Sequence, residues 1–161
     1  MAKFNQNSIT KAFGFDNPCI ANELVYNQKT FNNFKLTNQV TGDPVNLTGA
    51  TITAQIIRRQ ISNLEDTRYG LSFDIADYTP TPTAVSLTIS NRVDASGEFT
   101  LVIDESAWSV IASDPQLDIN ANDCVAFSGS VKIGFPVSGT DPAQDSIIFL
   151  LFLVRSDGVT N

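Results

Sequence analysis

The chain has 161 residues, 42% hydrophobic and 17% charged, which is enough for one domain with a core of its own. Seventeen acidic against ten basic residues leave a net charge of −7. That excludes the clustered Lys/Arg footprint a nucleic acid needs and disfavours an anionic membrane, so neither is expected as a partner. Histidine is absent, which removes the Ser-His-Asp triad, the Cys-His pair and zinc sites with histidine ligands.

Residues 1 to 21 fit neither the helical nor the strand period. Phe4, Ile9, Phe13 and Phe15 stand isolated among Asn5, Gln6, Asn7, Ser8 and Asn17. Two readings stay open: a frayed terminus, or an N-terminal arm whose spaced apolar residues dock on a neighbouring subunit. The folded domain is expected over residues 22 to 161, with strand patterns from Leu24 onward. Thr30 to Thr37 is two-sided, and its buried face is not assigned. Gly42-Asp43-Pro44-Val45-Asn46-Leu47-Thr48-Gly49 is a turn. Its Asn46-Leu47-Thr48 matches a glycosylation acceptor but reads as turn chemistry. In the strand that follows, Ile52, Ala54 and Ile56 share one face, and Arg58-Arg59 is expected as a solvated strand end rather than a phosphate contact.

Ser62 to Gly70 reads as a solvated loop, and Leu71, Phe73 and Ile75 as a half-buried strand that Thr79-Pro80-Thr81-Pro82 breaks. Val85, Leu87 and Ile89, then Phe99, Leu101 and Ile103 after the turn at Asp94 to Gly97, give clear alternation. Asp104 to Ala112 changes to a short helical pattern, with Asp104 or Ser106 as cap and Asp114-Pro115 as stop. So short a helix persists by packing Trp108 or Ile111 over the open end of a sandwich, and Trp108 is expected as core rather than as a ligand-stacking platform. Asp118-x-Asn120-x-Asn122 has the spacing that opens a calcium loop. Asp123 stands where the turn glycine belongs and Gly129 where the bidentate glutamate belongs, so an Asx-rich turn is expected, with no metal or cofactor.

Val125, Phe127, Val131 and Ile133 alternate with small or polar residues. After a loop at Gly134 to Ser146, Ile147 to Val154 has no polar alternation. Both its faces should be covered, either centrally in the sheet or by another copy of the chain. That run is far short of a membrane span, and no secretory signal is visible, so a soluble product made in a reducing cytoplasm is expected, with Cys19 and Cys124 as unpaired thiols favoured over a bridge that would close a long loop.

Several of these segments carry a resemblance. Thr30-Phe31-Asn32-Asn33-Phe34-Lys35-Leu36, the Gly42 to Gly49 turn, the strand ending in Arg58-Arg59, and Gly97-Glu98-Phe99-Thr100-Leu101 before a short helix occur in an order similar to the small immunoglobulin-like β-sandwich proteins of tailed-phage virions. The resemblance spans roughly residues 22 to 161. It implies an all-β, antiparallel immunoglobulin-like β-sandwich of about seven to eight strands with one short helix. It also implies a non-enzymatic virion component in the tail, baseplate or fibre attachment, synthesised in the host cytoplasm. Partners would be other virion proteins and copies of the chain in a homo-oligomer. A capsid decoration protein and a host-glycan-binding sandwich module are the alternatives. The glycan reading needs coplanar aromatics on one face, for which only Trp108, Tyr26, Tyr69 and Tyr78 are available.

Overall fold

In the computed structural model, which describes residues 2–4, 18–38, 40–63, 78–117 and 123–155, the alternating patterns become eight strands around one helix. The strands are β1 (Ala2–Phe4), β2 (Cys19–Val25), β3 (Thr30–Asn38), β4 (Thr51–Asn63), β5 (Thr79–Val93), β6 (Glu98–Ile103), β7 (Asp123–Phe135) and β8 (Gln144–Arg155), and α1 (Glu105–Ala112) follows β6. They form one sheet in the order β1-β3-β6-β5-β4-β7-β8-β2. The protein is all-β. Its sheet is mixed rather than wholly antiparallel, because β2 pairs in parallel with β8, from Cys19 opposite Phe149 to Val25 opposite Arg155. Local turns join antiparallel neighbours, whereas parallel strands need a long crossover. Here everything between β2 and β8 is that crossover, so no local signal announces the pairing.

Strand β5 turns the sheet's corner. Its residues up to Leu87 pair with β4, and those from Thr88 pair with β6. Both parts of the single sheet contribute to one core, Phe34, Leu36, Phe99, Leu101 and Ile103 from β3 and β6 and Ala54, Ile56, Phe127, Val131, Leu150 and Phe152 from β4, β7 and β8. Phe34 and Phe99, cross-strand partners, stack with ring centroids 4.8 Å apart. Each fully buried Leu, Ile or Phe contributes about 1.5–3 kcal/mol. Strand β8 lies between β7 and β2, and its two faces are buried at Leu151 and Phe152, as its unbroken apolar run requires.

Pro80 and Pro82 lie within β5 instead of ending a strand. Pro80 pairs with Arg58 on β4, and the ladder then shifts, so that Thr81 to Ala84 stand opposite the single residue Ile57 before Val85 pairs with Ile56. This part of β5 is not paired to β6, so the missing proline N–H groups remove no ladder bond on that side. The same irregularity reverses the alternation of β4. Arg59, expected at a solvated strand end, is turned inward and is buried.

The Gly42 to Gly49 turn docks onto the end of β3. Pro44 bridges Thr37, and the Val45 N–H donates to the Leu36 carbonyl at 2.9 Å. Leu47 is completely buried, and Arg92 holds the carbonyls of Leu47 and Ala50 at 3.2 and 3.0 Å. Gly97 completes the corner at φ +69°, where a Cβ would stand 2.7 Å from the carbonyl oxygens of Leu36 and Val45.

Strand β2 begins at Cys19, so the expected boundary after Ala21 falls inside a strand whose Ile20 is already core. Strands β7 and β8 reach to Phe135 and back to Gln144, leaving between them a short connection closed by paired Ser138 and Asp141. Ile9, Phe13 and Phe15, the Leu71-Phe73-Ile75 pattern, and Asp118, Asn120 and Asn122 lie outside the described residues. Phe4 belongs to β1.

Candidate interaction surface

One end of the fold is sealed by α1. The helix starts where Asp104 accepts from the Ala107 N–H at 3.1 Å. The Ser106 and Thr88 hydroxyls also donate to this carboxylate, and their hydrogen bonds, Ser106 first, hold its pKa down at about 2. Ala107, Trp108 and Ile111 face the core. The Trp108 indole N–H donates to the Gln28 carbonyl at 2.8 Å, and Tyr26 packs edge-on at 5.5 Å between centroids. Beside the helix start, Asn27, Lys29, Asp104, Glu105, Ser106 and Trp108 line an open groove of about 550 Å³. Its Asp104 carboxylate is already engaged by three donors, and its tryptophan is too buried to offer a face for stacking.

Beyond the helix, buried Asp114 meets buried Arg59 in a paired guanidinium–carboxylate contact. Arg59 also donates to Gln116 Oε1 at 2.8 Å and to the Thr79 hydroxyl, and the Gln116 N–H donates to Asp114 at 3.0 Å. The Arg59 hydrogen bond holds the Asp114 pKa below the usual carboxylate range against the opposing effect of burial. These groups satisfy one another and tie the chain after α1 to β4 and β5. They form a structural clamp.

The opposite situation holds where the sheet nearly closes on itself. Strand β2 ends the sheet on one side, and beyond β3 on the other side, among the described residues, lies the three-residue β1, opposite Leu36 to Asn38. The Leu36 N–H and C=O are engaged by Gly97 and Val45, towards β6. Antiparallel alternation therefore directs the backbone groups of Phe31, Asn33 and Lys35 to the outer edge. On β2, the Pro18 carbonyl accepts from Phe149 and the Tyr26 N–H donates to Arg155, each at 2.8 Å. The even residues of β2 thus serve β8, while those of Cys19, Ala21 and Glu23 face away from it.

Across this seam the two strands meet through inward side chains. Asn22 Nδ2 donates to Asn32 Oδ1 at 2.6 Å. Asn32 is 7% exposed, and its Nδ2 has no hydrogen-bond partner among the described residues. Phe31, on the outer face beside the seam, is 56% exposed with the Lys29 ammonium 5.4 Å from its ring centroid. The arrangement offers main-chain donors and acceptors in strand geometry beside an apolar contact, which is what addition of a further strand requires.

Burial pushes the Cys19 thiol up to about 11, so it stays neutral and unreactive near pH 7. Among the described residues, no group of three or more His, Cys, Asp or Glu side chains is placed to hold a metal ion, and no described helix is long and apolar enough to cross a membrane. Of the arm residues singled out in the sequence, Phe4 lies at the β3 edge in β1, opposite Leu36. The seam residues Asn22, Phe31, Asn32 and Lys35 are brought together by the fold. Their one sequence signal is an asparagine at an inward position, since Asn32 shares a face with Phe34 and Leu36. No protein-family model matches the chain, and no curated protein matches it either.

Proposed function

We infer that this chain is a non-enzymatic structural component of a tailed-phage virion, of the small immunoglobulin-like β-sandwich type, placed in the tail, baseplate or fibre attachment. It works by association: copies join one another and other virion proteins through a strand edge and the N-terminal arm. The observation that carries this reading is the seam itself, where the all-β fold leaves a row of main-chain groups on β3 without a strand partner among the described residues. The segment order around the Gly42 to Gly49 turn adds the virion context. Labelling the chain in purified phage particles and imaging them tests the reading. Label at regular positions on the tail or baseplate is the expected result. Label on the capsid surface would assign the chain to decoration instead, and particles without label would end the virion reading.

A further inference from the structure

The pairing of β1 with β3 has a fixed register: Ala2 opposite Asn38, Lys3 opposite Thr37, Phe4 opposite Leu36. Continued in the same register, Asn5 would stand opposite Lys35, Asn7 opposite Asn33 and Ile9 opposite Phe31. Those are the three β3 residues whose backbone groups face the outer edge. Alternation would then turn Ile9 to the outer face, beside the exposed Phe31 ring, and Ser8 inward, beside Asn32, whose buried Nδ2 lacks a partner among the described residues. Apolar against apolar and hydroxyl against orphaned amide both fall on the correct faces. A slip of one residue would reverse both.

We propose that the outer edge of β3 is an acceptor for residues Ala2 to Thr10 of a second copy of this chain, exchanged as an antiparallel strand in the β1 register. From Phe31 to Lys35 that edge has no strand partner among the described residues. The length of chain between Thr10 and Pro18 favours a second copy over the chain's own segment. Pro18 to Val25 covers about 23 Å of strand. A self-supplied strand would end beside Thr30, at the far end of β2, and residues 11 to 17 reach at most about 28 Å when straight. Returning to Pro18 across the seam would stretch that connection almost fully, whereas exchange between copies removes the constraint, and an exchanged element makes the same contacts in either copy. The inference rests on the reading of assembly by copies of the chain and adds the acceptor edge, the donor segment and the register.

Cysteine cross-linking in the full-length purified chain tests it, with wild type as control for Cys19 and Cys124. Ile9 and Phe31 would form a hydrogen-bonded cross-strand pair with Cα atoms about 5.5 Å apart, within disulfide range. Mixing an Ile9→Cys chain with a Phe31→Cys chain under mild oxidation should give a disulfide-linked dimer that neither variant gives alone. A Ser8→Cys chain mixed with Phe31→Cys should give none, because those side chains leave opposite faces. Phe31 is exposed and not part of the core, and unchanged melting of each variant confirms that the fold is kept. Closure within a doubly substituted chain without a mixed dimer would assign the edge to the chain's own segment and overturn the proposal. Absence of any cross-link, or equal linking through position 8, would overturn it as well. Each of these outcomes is read on the isolated chain and is separate from where the label falls in particles.

Discussion

The α1 end of the molecule and the β2/β3 seam solve the same problem, closure of a curled sheet, to different degrees. At the α1 end the main polar groups are matched: the Trp108 indole on Gln28, Asp104 on three donors, Arg59 on Asp114, Gln116 and Thr79. The buried Thr81 hydroxyl is the exception there, without a hydrogen-bond partner among the described residues. At the seam the backbone groups of Phe31, Asn33 and Lys35 face outward, the buried Asn32 Nδ2 has no partner among the described residues, and Phe31 is exposed. The difference separates two properties that are often mixed. Stability resides where contacts are complete, and capacity for association resides where they are not. Substitutions at the two places should therefore move different observables.

The largest effect is expected at Trp108. Trp108→Ala removes the plug, leaves a cavity and frees the Gln28 carbonyl, and should cost about 3–5 kcal/mol. Denaturant titration checks the cost, and native fluorescence should be blue-shifted. A red-shifted, readily quenched tryptophan with unchanged stability would move Trp108 out of the core and break the contrast.

Asp114→Ala should cost a comparable amount, about 3–5 kcal/mol, because it leaves the Arg59 guanidinium buried without its counter-charge. Replacing both partners with apolar residues of similar volume, Arg59→Met with Asp114→Leu, should recover most of that loss. If the double variant is no better than the single one in urea unfolding, the pair has a role other than mutual neutralisation.

Acid sensitivity should follow from the same end of the molecule. Asp104 and Asp114 have folded-state pKa values below their ordinary 3.8, Asp104 at about 2. Their stabilisation is fully present above the unfolded value and is lost as pH falls from about 4 towards 2. Melting temperature measured across that window should fall less steeply in Asp104→Asn than in wild type. An identical slope would remove Asp104 from the account.

Much of the sealed end was legible in the sequence, and little of the seam was. The short helix after Asp104 and the burial of Trp108 follow from residues adjacent in the chain, where propensity and periodicity agree, and of the two caps the sequence allowed, Asp104 and Ser106, the fold uses Asp104. The alternating strands around Leu87, Leu101 and Phe127 follow for the same reason. The inward turn of Arg59 was hidden because one unpaired residue, Ile57, reverses the alternation, and bulges leave no reliable local mark. The prolines of β5 argued against a strand because edge status is a property of the sheet, not of the segment. The parallel joining of β2 to β8, which creates the seam, brings together the two long strands farthest apart in sequence. Tertiary pairing alone decides it.

The most direct test of the separation between stability and association is a proline on the free edge of β3. Lys35→Pro removes one outward N–H and a half-exposed ion pair with Glu98, and spares the β6 ladder, whose bonds run through Phe34 and Leu36. Melting and sedimentation velocity should be measured on the same full-length sample. The account predicts a stability loss below about 1 kcal/mol together with loss of self-association and of incorporation into particles. Association retained at the wild-type level, or a stability loss as large as that of Trp108→Ala, would contradict it.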